Sequence, residues 1–194
     1  MSFVIWHKEF DELVKPIVFQ RRVWDLGSGT KAPMLPIVQR LGCAKVQLVD
    51  KDTVIPPVMP HGFGVDVRQH TLFRELLQDF KKFNTIESND IALLAWPPNS
   101  GADGLADLMQ WFNYVIYIGC NSGGTACGDL DLWNHFTTRE VVHYLPRRKN
   151  SLIVYGTMNY HRRALIQEEA WALDHAQFHA TSTAAVLTLQ WYLG

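Results

Sequence analysis

Four residues near the amino end have the types and spacing for cofactor recognition: Asp25, Gly27, Gly29 and Asp50. They lie in Val23-Trp24-Asp25-Leu26-Gly27-Ser28-Gly29-Thr30-Lys31 and in Val46-Gln47-Leu48-Val49-Asp50. Glycine reaches φ > 0 without steric cost and lets backbone N–H groups approach a ligand. A carboxylate ending the second apolar run can accept both hydroxyl hydrogens of a ribose. Gly27-x-Gly29-x-x-Ala32 with Asp50 also meets the dinucleotide fingerprint. In that reading Asp25 would sit beneath a pyrophosphate and repel it. An acid at that position suits a ligand with an ammonium group and no phosphate.

Other chemistry-bearing residues lie further along. Ala95-Trp96-Pro97-Pro98-Asn99 follows an apolar run, and its two prolines fix an extended loop. Cys120-Asn121-Ser122-Gly123-Gly124-Thr125-Ala126-Cys127-Gly128 is rich in small polar residues that suit wrapping a substrate, with Asn121, Ser122 and Thr125 as donors. Its C-x6-C spacing is no recognised zinc pattern, and a small buried thiol accounts for Cys120 better than a redox role. Eight histidines include His175-x-x-x-His179, but no glutamate follows His175, and no metal site is expected. His61 and His70 flank the same region without a neighbour that marks either as a general base.

Alternating helix and strand patterns must position these residues. Strands are expected at 22–26, 46–50, 64–67, 91–95, 114–118, 152–155 and 184–191. An amphipathic helix over 7–15 is broken near Pro16, and helices follow at 33–41, 70–83, 104–112 and about 162–177. Gly42 stops the helix over 33–41. Thr137 with Glu140 reads as a capping box for a helix that Pro146 ends. Apolar strands alternating with helices predict a doubly wound, mostly parallel α/β sheet with helices on both faces. The glycines, Asp50, Asp66, the Trp-Pro-Pro segment and the small-residue loop then gather at the carboxyl ends of strands, where open α/β sheets bind ligands.

The 194 residues suit one domain, 1–194. With 47% hydrophobic and 19% charged residues the chain is expected to fold and not to stay disordered. A net charge of −1 gives no general pull toward nucleic acid or anionic lipid. Basic clusters at Arg21-Arg22, Arg147-Arg148-Lys149 and Arg162-Arg163 read as solvated surface. No run approaches a membrane span, no leader is recognisable, and three sparse cysteines point to the cytoplasm.

The run Asp25-Leu26-Gly27-Ser28-Gly29-Thr30-Lys31 resembles the first motif, acid-x-Gly-x-Gly-x-Gly, of the class I S-adenosylmethionine-dependent methyltransferases, with Lys31 in place of the third glycine. By order of motifs the resemblance covers residues 20–120. It implies a seven-stranded Rossmann-like methyltransferase fold with the last strand antiparallel, and S-adenosyl-L-methionine as cofactor. The implied cofactor residues are Asp25, Gly27, Gly29, Asp50 and Asp66, the last contacting the adenine amino group. Residues 95–99 resemble the Asp/Asn-Pro-Pro-aromatic motif of amino-methyltransferases. Trp96 stands in the first position, and an indole donates but cannot accept the amine proton. The catalytic candidates are Trp96, Pro97, Pro98 and Asn121, with the Trp96 ring expected as a flat wall over the crevice. The implied function is methyl transfer to an unknown small-molecule or macromolecular acceptor. Nucleic acid is one candidate that the net charge does not support, and no membrane partner is expected. Two other readings stay open: a non-catalytic methyltransferase-like protein that binds a nucleoside or a partner, and an NAD-dependent oxidoreductase, which Asp25 opposes.

Overall fold

The computed structural model describes residues 6–98, 102–120, 127–147 and 151–158. Five short strands come first: β1 (Arg22–Leu26), β2 (Lys45–Val49), β3 (Gly64–Arg68), β4 (Ile91–Ala95) and β5 (Tyr114–Gly119). Each except β3 is an almost unbroken buried run, because helices cover both faces of the sheet. The helices are α1 (Glu9–Val18), α2 (Leu35–Arg40), α3 (Phe73–Phe83), α4 (Leu105–Met109) and α5 (Leu130–Thr137). Strands β6 (Arg139–Leu145) and β7 (Ser151–Met158) complete a seven-stranded sheet in the order β3-β2-β1-β4-β5-β7-β6.

The pairs β3–β2, β2–β1, β1–β4 and β4–β5 are parallel, whereas β7 runs antiparallel to both β5 and β6. The chain winds outward through β2 and β3, then returns to β4 on the other side of β1. Strand order reverses there, and it is at such a switch point, at the carboxyl ends of the strands, that open α/β sheets form a ligand crevice. Two apolar layers flank the sheet. Trp24, Leu26 and Leu94 meet α3, α4 and α5 on one face, while Val23, Val46 and Leu93 meet α1 and α2 on the other.

Two arginines, Arg22 half-buried and Arg139 buried, fasten the ends of these layers. At the amino ends of β1 and β4, Arg22 Nε donates to both carboxylate oxygens of Asp90 at 3.0 Å, and Trp24 Nε1 donates to Asp90 Oδ2 at 2.9 Å. At the other edge Arg139 donates from Nε to His135 Nε2 (2.9 Å) and from Nη1 to Gly156 O (2.7 Å). Its Nη2 donates to the carbonyls of Met109, the last residue of α4, and of Phe112 just beyond it. No carboxylate faces this guanidinium in the described contacts, and burial pulls its pKa down to about 10.

Three expectations need correction. No helix starts at Thr137: that residue ends α5, and 139–145 is strand β6. The cap lies earlier, where the Asp129 carboxylate accepts from the Leu132 N–H at 2.9 Å, while the Thr137 hydroxyl donates to Asn134 O. Consequently 151–158, expected as the sixth strand, is the seventh among the described residues; the strand expected at 184–191 and the helix expected near 162–177 lie outside them. Finally, α1 runs through Pro16 to Val18, because Ile17 and Val18 are buried against the core and hold the last turn in place.

Candidate functional site

The turn after β1 is built from backbone hydrogen bonds that only a left-handed chain path allows. Gly27 and Gly29 have φ of +80° and +71°. The Gly27 and Ser28 N–H groups both donate to Val49 O, at 2.8 and 3.0 Å, which pins the turn to the end of β2. Asp50 completes it. Its Oδ2 accepts from the Gly29 N–H at 2.7 Å, and its Oδ1 accepts from the Asp52 N–H at 2.9 Å. The loop after β2 is drawn in as well, since Ile55 N–H donates to Thr30 O at 2.8 Å. A β-carbon on Gly27 would stand 3.7 Å from the Phe73 ring, so the first residue of α3 lies over this turn.

Asp25 is the anomaly of the site. It is fully buried, and neither carboxylate oxygen has a hydrogen-bond partner among the described residues. Desolvation first, and then the nearby Asp50 charge, push its pKa up to about 7. A buried acid without a partner costs the fold free energy in either protonation state. Such an orphan fits a ligand that brings a cation or a hydrogen-bond donor, which is the property of an α-ammonium group. Lys31, in the third glycine's place, is exposed and does not reach into the core.

The remaining sequence candidates divide by position. Trp96 has φ of +54°, a strained value for a bulky residue, and its N–H donates to Ile118 O at 2.7 Å. Its ring is half-buried and packs against the α3–α5 layer, so it borders the crevice side of β4 and also fills core. Pro97 is buried and its carbonyl accepts from the Gly128 N–H at 2.8 Å, whereas Pro98 is exposed. Asp66 lies two residues before the end of β3, paired with Lys45 Nζ and Gln47 Nε2, each at 2.6 Å. These partners hold its carboxyl below the usual range, the Lys45 contact most, and the strand keeps it away from the glycine turn. Asn99 and Asn121 lie outside the described residues, as do His175 and His179. Among the described residues no three His, Cys, Asp or Glu side chains gather as metal ligands.

Sequence reasoning missed one neighbour of the glycine turn and one side-chain pairing. Phe73 reads only as an apolar residue of a helix, and nothing along the chain signals its place over Gly27. Cys127 is brought back beside Cys120 at the end of β5, with the two sulfurs 2.7 Å apart.

This sheet defines a doubly wound, mostly parallel, Rossmann-like α/β fold. No family model matches the sequence, and no curated protein matches it. Among solved structures, the chain is similar to a "putative hemolysin" from Lactococcus lactis at 14% identity and a TM-score of 0.51, covering 83% of this chain and 94% of that one. A "putative hemolysin" from Streptococcus thermophilus gives 12% identity and a TM-score of 0.50, covering 77% of this chain and 65% of that one, so the likeness spans about two thirds of that protein's length. A Streptococcus pneumoniae protein described as a "putative" tRNA methyltransferase, solved with S-adenosyl-L-methionine, gives 15% identity, a TM-score of 0.48 and coverage of 97% and 100%. No helix among the described residues is long and apolar enough to cross a membrane.

Proposed function

We propose that this chain is an S-adenosyl-L-methionine-dependent methyltransferase whose cofactor occupies the crevice at the carboxyl ends of β1, β2 and β4. The observation that carries this reading is Asp25, a buried carboxylate without a partner beside a glycine turn shaped to admit a ligand. A dinucleotide would set phosphates against that acid. S-adenosyl-L-methionine brings an ammonium group and no phosphate, and supplies an electrophilic methyl group on a sulfonium centre.

In this reading Asp25 holds the α-ammonium group, and Gly27 and Gly29 give backbone approach. Asp50 both braces the turn and turns its remaining lone pairs to the ribose hydroxyls. Asp66 is left out, since Lys45 and Gln47 both hold its Oδ2 and tie the side chain to β2. Trp96, Pro97 and Pro98 wall the acceptor side. Trp96 donates no acid–base help, so rate enhancement comes from positioning in a desolvated pocket. Its half-buried ring suits an acceptor with a flat face, whether a small molecule or part of a macromolecule. The near-neutral charge adds no general attraction for nucleic acid. Three free thiols suit the cytoplasm, where we place the protein.

The test is thermal unfolding with S-adenosylhomocysteine and with NAD. A ligand at about 100 times its Kd stabilises the native state by about 2.7 kcal/mol. S-adenosylhomocysteine should raise Tm and NAD should leave it unchanged. A rise with NAD alone would replace this reading with the oxidoreductase, and no rise with either would remove the cofactor site.

A further inference from the structure

Cys120 and Cys127 stand apart from the cofactor chemistry, yet their surroundings are built around them. The sulfurs are 2.7 Å apart, and the Cys120 N–H donates to Cys127 Sγ at 3.1 Å. Both backbones are clamped: Tyr117 Oη donates to Cys120 O at 2.6 Å and Trp133 Nε1 donates to Cys127 O at 2.9 Å. Gly119 leaves the space, since a β-carbon there would meet Tyr117 Oη at 2.7 Å and Cys127 Sγ at 3.2 Å. A disulfide needs sulfurs at about 2.05 Å, so under roughly 1 Å of movement separates this pair from a bond. The two thiols differ in access. Cys120 is half-buried, whereas Cys127 is fully buried and its thiol is pushed up to about 12 by burial. Cys43 sits in the opposite apolar layer.

We propose that Cys120 and Cys127 form a reversible thiol–disulfide pair oxidised by a hydroperoxide. The Cys120 thiolate attacks the peroxide, the O–O bond breaks, and an S–O bond forms as an alcohol (water, from hydrogen peroxide) leaves after taking a proton. Cys127 Sγ then attacks the Cys120 sulfur. The S–S bond forms, the S–O bond breaks, and the departing hydroxide takes the Cys127 proton as water. Two thiols and one hydroperoxide thus give one disulfide, one alcohol and one water, and an external dithiol reverses the change. The bond ties the end of β5 to the residue preceding Gly128, whose N–H holds Pro97 beside Trp96. The redox state of the pair therefore reaches the wall of the crevice.

The full chain is treated with equimolar hydrogen peroxide, denatured, alkylated with a maleimide and weighed intact. Three free thiols should fall to one, with a loss of about 2 Da before alkylation, a Cys120–Cys127 linked peptide on digestion, and full reversal by dithiothreitol. Cys43→Ser should keep the mass loss. Cys127→Ser should abolish it and leave Cys120 oxygenated. Three remaining thiols, oxygen added to Cys120 while Cys127 is present, or a link between two chains would each overturn the proposal.

Discussion

Asp25 shows how a single residue can serve binding at the expense of stability. Its carboxyl titrates near 7 in the folded chain against an ordinary value of 3.8. Below about pH 4 the group is protonated in both states and costs least. As pH rises toward 7 the unfolded state loses its proton first, so stability declines across that window and stays lower above it. Asp25→Asn removes the titration. Denaturant unfolding at about pH 8 should show the variant more stable than the parent by about 1–4 kcal/mol, with a flatter profile between about pH 4 and 7. The same variant should bind S-adenosylhomocysteine about 10- to 100-fold more weakly, the loss of a charged hydrogen-bond partner. A variant that loses both stability and affinity would make Asp25 a structural acid. The glycine turn was readable from the sequence because glycine spacing and an acid's distance from it are local facts. The double hydrogen bond that Asp50 makes to the turn was not. From the chain alone that carboxylate reads as free for a ribose, and the Gly29 N–H that it accepts comes from another strand's loop.

At the scale of elements, the parallel half was legible and the antiparallel edge was not. Apolar runs such as Ile91–Ala95 and Tyr114–Ile118 read as strands covered on both faces, and Pro97 closes the first of them. Around residue 137 two local signals competed. Thr137 and Glu140 have the spacing of a cap, but Val141, Val142 and Tyr144 have the β-branched and aromatic character of a strand, and pairing with β7 decided for the strand. The same logic explains Pro16, whose local cost the burial of Ile17 and Val18 overrides. Tertiary contact also fixes the amino ends of β1 and β4 through Asp90, which serves Arg22, Trp24 and the Glu87 N–H together. Asp90→Ala strands a partly buried guanidinium and an indole donor. Urea unfolding should show a loss of about 3 kcal/mol. Cofactor affinity should hold within about threefold, because Asp90 lies at the end of the sheet opposite the glycine turn. A large affinity loss at intact stability would contradict this division between the sheet's two ends.

Across the whole molecule, the parallel strands build the crevice and the β6–β7 hairpin must be held against them by something other than a crossover helix. The β5–β7 pairing does so, and Arg139 adds to it. From the first residue of β6, Arg139 reaches the carbonyls at the end of α4, His135 on α5 and Gly156 on β7, so one side chain joins three elements. A buried cation with carbonyl and imidazole partners is stable only while all of them are present. Removing it takes a donor from three carbonyls, of which Met109 O still accepts from the Phe112 N–H, and a buried carbonyl left without a donor costs on the order of 1–3 kcal/mol. Arg139→Met keeps the length and apolar stem but none of the donors. Hydrogen exchange on the variant should show faster exchange in 139–145 and 151–158, with β1, β2 and β4 protected as in the parent. Binding of S-adenosylhomocysteine should persist, since the glycine turn, Asp25 and Asp50 draw none of their contacts from the hairpin. Uniform loss of protection through all seven strands would show instead that the hairpin and the parallel sheet unfold as one unit, and that Arg139 supports the crevice as well as the edge.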